Sequence, residues 1–246
     1  MSQLQLAVTA DVSTRHLSYV ETGRSTPSRE LLLRLAEELQ MPLRDRNQLL
    51  NAAGYAPVYS EMPLSATEMR PVMAAIVVVL EGSEPNPTII VDRHWDLVMG
   101  NTSARWLATD VDDRLLTPPI NIARLSLHPD GLASRISNLD EYAGHFLARI
   151  RRALAITGDP QLERLLSELS SYAPAPASHP DVVAGSGVVI PMRLRLGGDE
   201  LSLFTTIATF GTAIDITVAE LSIETFYPAD DNTAAVLQAR FSAAPD

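Results

Sequence analysis

The 246-residue chain contains no cysteine and no lysine. The first absence excludes a disulfide scaffold, a thiolate zinc site and a thiol nucleophile. The second leaves arginine to supply all 19 basic residues, set against 30 acids for a net charge of −11. Taken whole, that balance argues against a nucleic-acid partner, because phosphate neutralisation needs clustered cations. Long apolar runs are also missing. The longest, Val72–Leu80, is under half the ~20 residues a membrane-spanning helix needs. No charged segment followed by an apolar core opens the chain, so no secretory signal is visible and a cytoplasmic location, with no membrane partner, is expected. What is present is 46% hydrophobic and 20% charged, over a length that suits one large domain or two ordinary ones.

The charge is unevenly placed. Residues 1–62 carry six arginines and seven acids, net −1, whereas residues 63–246 carry thirteen arginines and 23 acids, net −10. A boundary near Tyr59–Pro63 therefore separates a nearly neutral domain (1–62) from an acidic one (63–246). Within the first, Arg15, Arg24 and Arg29 stand against Glu21 alone between Ser13 and Arg29.

Caps and apolar period predict four short helices in residues 1–62. Ser2 and Gln5 have capping-box spacing and open a helix through Ala10. Ser13 caps a second helix to about Thr22, closed by Gly23. Ser28 caps a third, Arg29–Gln40, with Leu31, Leu32, Leu35, Ala36 and Leu39 on one buried face. The fourth, Arg44–Ala53, ends at Gly54. The short turn between the first two implies helix-turn-helix geometry.

The stretch SQLQLAVTADVSTRHLSYVETGRSTPSRELLLRLAEEL, Ser2–Leu39, resembles the Cro/repressor-like helix-turn-helix of the xenobiotic-response-element family. The resemblance implies a small core of Leu6, Ala7, Val12, Leu17, Val20, Leu35 and Ala36, and double-stranded operator DNA as partner. The second helix is then the recognition helix. It places Ser13, Thr14, Arg15 and Tyr19 toward base edges, with Arg15 the candidate for a bidentate guanine contact. Gln3, Arg24 and Arg29 are placed for phosphates. His16 stands between a groove position and packing under the helix, and for Tyr19 core packing is as open as base contact. Glu21 is expected to tie down the following loop. The family has a helix ahead of the Ser-Gln, and Met1 stands directly before it here. A start assigned too far downstream is the expectation, with true truncation as the alternative.

Residues 63–246 read as α+β. A helix over Ser65–Leu80 with a Ser65…Glu68 capping box is followed by a hairpin, Thr88–Asp92 and Asp96–Gly100. Asn101 then caps a helix to about Ala108. Asn138 is expected to cap a helix Leu139–Ile156 that turns Leu139, Ala143, Phe146, Ile150 and Leu154 inward. Asp159-Pro160 opens the next, with Leu162, Leu165, Leu166 and Leu169 inward. Ala173–Asp181 reads as a loop. Val188–Leu196 alternates apolar residues with Arg193 and Arg195, turns at Gly197-Gly198-Asp199, and leads to strands Leu201–Phe210 and Ile214–Ile223, closed by Tyr227-Pro228. Asn232 or Thr233 starts a last helix. An antiparallel sheet of about five strands flanked by helices follows.

With a helix-turn-helix upstream, the segments LLNAAGYAP, PTIIVDRHWDLVMGN, NIARLSLHPDG and DELSLFTTIATFGTAIDITVAELSIETFYPAD resemble the MmyB-like regulators. That resemblance implies a PAS-like domain that binds a small apolar ligand such as a fatty acid, and a regulator acting as a homodimer on paired half-sites. Candidate pocket residues are Trp95, Phe146, Ile150, Met192, Leu194, Leu203, Phe204 and Phe210, with Arg149 or Arg193 at the mouth to hold a carboxylate.

Little points to catalysis, and no cofactor is expected. His16, His94, His128, His145 and His179 lack ligand spacing, so no metal site is expected. Gly185-Ser186-Gly187 reads as a flexible turn, and Asp110, Asp112 and Asp113 as a solvated loop. Cysteine-based flavin photochemistry, one use of PAS domains, is excluded. A haem-type sensor using His128 or His145, and a protein-interaction or antitoxin-like module, remain as alternatives.

Overall fold

The computed structural model describes residues 1–172 and 190–243. The Ala173–Asp181 loop, His179, the Gly185-Ser186-Gly187 turn and the start of the strand expected at Val188 lie outside them. In chain order come α1 (Gln3–Thr9), α2 (Thr14–Glu21), α3 (Arg29–Glu38), α4 (Leu43–Ala52) and α5 (Arg70–Gly82). Then follow β1 (Thr88–Val91), β2 (Leu97–Gly100), α6 (Thr102–Leu107), α7 (Ile122–Leu127), α8 (Leu139–Thr157) and α9 (Pro160–Tyr172). The chain ends with β3 (Met192–Leu196), β4 (Asp199–Thr209), α10 (Ile216–Ala219), β5 (Ser222–Pro228) and α11 (Asp231–Ala243).

These elements form two compact units. Residues 1–69 and 210–219 make the first, and the rest of the described chain the second. In the first, Ala7, Ala10, Leu17, Leu31 and Leu35 form the core, with Leu6, Val12 and Val20 packed against it. Leu39, expected inside, is 48% exposed. It caps α3, and the following Gln40 turns left-handed at φ 51°, so the apolar face ends a residue early. Asn47 on α4 donates to the Tyr59 carbonyl and accepts from the Val58 and Tyr59 amides, binding the chain after α4 back to that helix.

The second unit is built on an antiparallel sheet of five strands in the order β2-β1-β5-β4-β3. Gly197 and Gly198, at φ 60° and 93°, supply the positive φ values that the tight β3–β4 turn needs. Directly opposed residues share a sheet face. Met192 faces Leu203, Leu194 faces Leu201, and Glu224 lies between Ile89 and Ile207. That face shares one core with Ile122, Leu125 and Leu127 of α7, Ala143, Phe146 and Ile150 of α8, and Leu162, Leu165 and Leu169 of α9. α5 packs against β1, and α11 against β4, β5 and α6.

Several boundaries differ from expectation. Residues 67–69 form a 3₁₀ turn and α5 begins only at Arg70, because a helix started at Ser65 would put Pro71 in its interior, against the Thr67 carbonyl. Asn138 gives α8 no side-chain cap. Its Oδ1 accepts from the Arg193 amide and its Nδ2 donates to the Pro191 carbonyl, so it stitches α8 to β3. The strand expected over Ile214–Ile223 is interrupted. Asp215 accepts from the Thr217 amide and opens α10, and β5 starts at Ser222 and contains Tyr227-Pro228. Asp230, not Asn232 or Thr233, accepts from the Thr233 amide at the head of α11.

Candidate DNA-reading surface and ligand site

The reading head begins with the capping box. Ser2 Oγ accepts from the Gln5 amide at 3.2 Å, and Gln5 Oε1 accepts from the Ser2 amide at 3.1 Å. Asp11, left-handed at φ 50°, makes the sharp turn, a conformation its short polar side chain tolerates. Ser13 Oγ accepts from the His16 amide at 3.1 Å, and Gly23 follows α2 at φ 70°.

On this frame Ser13, Thr14 and Arg15 are exposed in the first turn of α2, with Tyr19 half-buried one turn on. Arg15 Nε and Nη2 donate to Tyr19 Oη at 3.1 and 3.0 Å. The Arg15 and Arg24 guanidinium carbons lie 5.3 and 6.0 Å from the Tyr19 ring centroid. His16 is half-buried, and Arg29 is exposed at the head of α3. Gln3 Nε2 donates to Glu21 Oε2 at 2.5 Å. Glu21 thus ties α2 to α1, not to the following loop, because the crossing of the two helices brings their side chains together. That loop is held by main chain instead: the Arg24 and Ser25 amides donate to the Tyr19 carbonyl at 2.7 and 3.1 Å.

In the second unit, the β1–β2 turn presents Trp95 at φ 65°. Its carbonyl accepts from the Ile122 amide, and Asn121 Nδ2 donates to both the His94 carbonyl and Asp96 Oδ1. The Trp95 side chain is 8% exposed, with its ring 6.2 Å from that of Phe146. Arg149, one turn of α8 beyond, sets its guanidinium carbon 5.5 Å from the Phe146 ring and 5.9 Å from the Trp95 ring. Its Nη2 donates to Glu224 Oε1 at 2.5 Å, and Glu224 is only 2% exposed. Burial, reinforced by the Glu224 charge, pushes the Tyr142 phenol up to about 12. Trp95 Nε1 is buried and has no acceptor among the described residues.

Ile150, Met192, Leu194 and Leu203 belong to the same core. Three expected pocket residues lie elsewhere. Arg193 is exposed on the opposite face of β3 from Met192 and Leu194. Phe204 alternates with Leu203 and stacks 5.6 Å from Tyr227, its cross-strand partner. Phe210 falls in the first unit, with residues 210–219. Tyr142 and Glu224 were not singled out from sequence. An acid two positions before the inward Phe226 was the available signal for Glu224.

The His128 ring meets Tyr172 edge-on at 4.8 Å, its Nδ1 accepting from the Asp130 amide, and His145 is exposed on α8. Among the described residues no group of three His, Asp or Glu side chains is placed to hold a metal ion, and no helix is long and apolar enough to cross a membrane.

Residues 1–45 match the helix-turn-helix family, and residues 72–239 match the family described as MmyB-like transcription regulator ligand binding domain. No curated protein matches the chain. Among solved structures it is similar to the PAS domain of BvgS from Bordetella pertussis, at 13% identity and a TM-score of 0.27, over 70% of this chain and 96% of that one. It is also similar to an RNA-binding light-oxygen-voltage receptor, at 13% identity and a TM-score of 0.31, over 98% of this chain and 64% of that one. With the family covering residues 72–239 behind a helix-turn-helix, the chain belongs to the MmyB-like transcription regulators.

Proposed function

We propose that this regulator is a cytoplasmic, non-enzymatic homodimer that reads operator DNA through α2 and changes its affinity when the PAS-like domain takes up a small apolar ligand with a hydrogen-bond acceptor at one end, a fatty acid being the best fit. In this reading Arg15 contacts guanine, with Ser13, Thr14 and Tyr19 beside it, while Gln3, Arg24 and Arg29 meet phosphates. Dimerisation follows from the small reading head, since two modest sites on one duplex bind far more tightly than one.

The observation that carries the ligand reading is the buried Trp95 Nε1, which has no acceptor among the described residues. A donor removed from water and left unpaired loses about 1–3 kcal/mol, and in this reading the ligand supplies the missing acceptor. Trp95 lies beside Phe146 and Arg149, and belongs to one apolar core with Ile150, Met192, Leu194 and Leu203, so in this reading that core accepts the chain of the ligand and Arg149 its acidic head.

A route to the reading head is supported by the chain path. Residues 210–219 join β4 to β5, yet belong with residues 1–69. There Asp215, 6% exposed, accepts from Ser60 Oγ at 2.7 Å and from the Met62 amide at 3.2 Å, while the Ile216 amide donates to the Ser60 carbonyl at 2.8 Å. A ligand that alters β4 and β5 therefore pulls on a segment fastened to the DNA-binding unit. Regulation results only where the ligand binds the two arrangements unequally.

Native mass spectrometry of the purified chain tests the reading. A dimer carrying a co-purified acid is the expected result. A monomer, or a dimer that takes up no fatty acid added in excess, overturns the corresponding part.

A further inference from the structure

We propose that Tyr19 is a positioning residue for base readout: it fixes Arg15 and braces Arg24, and does not itself read a base. The inference rests on the operator-binding reading above. Arg15 and Tyr19 are four residues apart on α2, so their side chains rise on the same helix face. A guanidinium has five N–H donors. Two of the Arg15 donors, one on Nε and one on Nη2, converge on Tyr19 Oη at 3.1 and 3.0 Å. The three that remain include one on Nη2 and both on Nη1, which form the end-on pair that matches guanine O6 and N7. Tyr19 Oη, accepting two bonds, has its lone pairs occupied.

The same residue holds the second arginine in two ways. Its carbonyl accepts from the Arg24 and Ser25 amides at 2.7 and 3.1 Å, and its ring faces the Arg24 guanidinium at 6.0 Å. A free arginine side chain loses much rotamer freedom when it docks. One that is already held loses less, so affinity rises with no added contact to DNA.

The test uses the full chain and a duplex selected by it from a random-sequence pool. Affinity is measured for that duplex, for versions with each guanine replaced in turn, and for a scrambled duplex, with wild type, R15A, Y19F and R15A/Y19F. Y19F is expected to reduce discrimination at the guanine read by Arg15 by roughly 3–10-fold, a part of what a bidentate contact supplies, while leaving scrambled-duplex affinity and salt dependence unchanged. In the R15A background the same change is expected to have no effect. In the free protein, Y19F is expected to shift the Arg15 Nε–H resonance, a readout independent of DNA. Equal losses from Y19F with and without Arg15 overturn the proposal, since Tyr19 then reads the base itself. An unmoved Arg15 resonance overturns it also. If wild type enriches no sequence at all, it is the operator-binding reading that fails, and the proposal with it.

Discussion

Replacing Asp215 by alanine removes the carboxylate that fastens the β4–β5 connection to the helix-turn-helix unit. Three donors lose their partner: Ser60 Oγ at 2.7 Å, the Met62 amide at 3.2 Å and the Thr217 amide at 2.9 Å. Ser60 is exposed and recovers a bond to water, whereas Met62 and Thr217 are half-buried and recover less. With the lost cap of α10 included, the expected destabilisation is about 2–3 kcal/mol. For a unit of this size each kcal/mol moves the midpoint by about 4–8 °C, so D215A should lower the first unit's Tm by roughly 8–24 °C. The two units are separable optically. Both tryptophans, Trp95 and Trp106, belong to the second unit, so their fluorescence reports the PAS-like domain, while far-UV circular dichroism also reports α1–α4. The early part of the dichroism transition is expected to move, the fluorescence transition to move less, and the ligand response of operator affinity to disappear. A dichroism curve within about 1 °C of wild type would refute the reasoning that Asp215 is a structural tie.

Arg149→Ala strips the counter-charge from Glu224, buried at 2% exposure, and should destabilise the PAS-like domain by about 3 kcal/mol in urea titrations monitored by fluorescence. R149A/E224Q should recover part of that, and a double variant no more stable than R149A would contradict the unpaired-charge explanation. At alkaline pH the Tyr142 phenol, pushed up to about 12 in the folded state, keeps its proton while the unfolded chain loses its own from pH 10. Stability should therefore be flat below about pH 9 and fall by about 2 kcal/mol between pH 10 and 12, with Y142F removing that part of the slope. With Arg24 and Arg29 as the phosphate-directed arginines of each head, a dimer should show a log–log salt slope of about −4, and R24A should flatten it by about 2.

The parts of this fold legible in sequence are those whose cause is local. The capping box of Ser2 and Gln5, the caps at Ser13 and Ser28, and the alternation of Met192, Leu194 and Leu196 each depend on residues within a few positions. The parts that were not legible depend on distant partners. Asp215 ends a strand pattern because Ser60 and Met62, over 150 positions away, take its carboxylate. Asn138 has the residue type of a helix cap and is spent on β3 instead. The candidate ligand site shows the same limit. Trp95, Phe146 and Arg149 stood out by type, while Glu224 and Tyr142 acquire their importance only once β5 and α8 are brought together. Phe204 fails for a simpler reason: next to an inward Leu203, strand alternation turns it to the other face.

The acidic chain and its DNA partner are reconciled by position, since ten of the eleven net negative charges lie beyond residue 62. The central claim, that ligand occupancy in the PAS-like domain alters DNA reading, is tested most directly by one equilibrium measurement. Affinity for the selected operator duplex is compared for the wild-type chain alone and at a long-chain fatty-acid concentration that saturates its tryptophan fluorescence change. The account predicts a change of at least about five-fold, the lower end of ordinary coupling between two sites. Equal affinity with and without saturating ligand would contradict it.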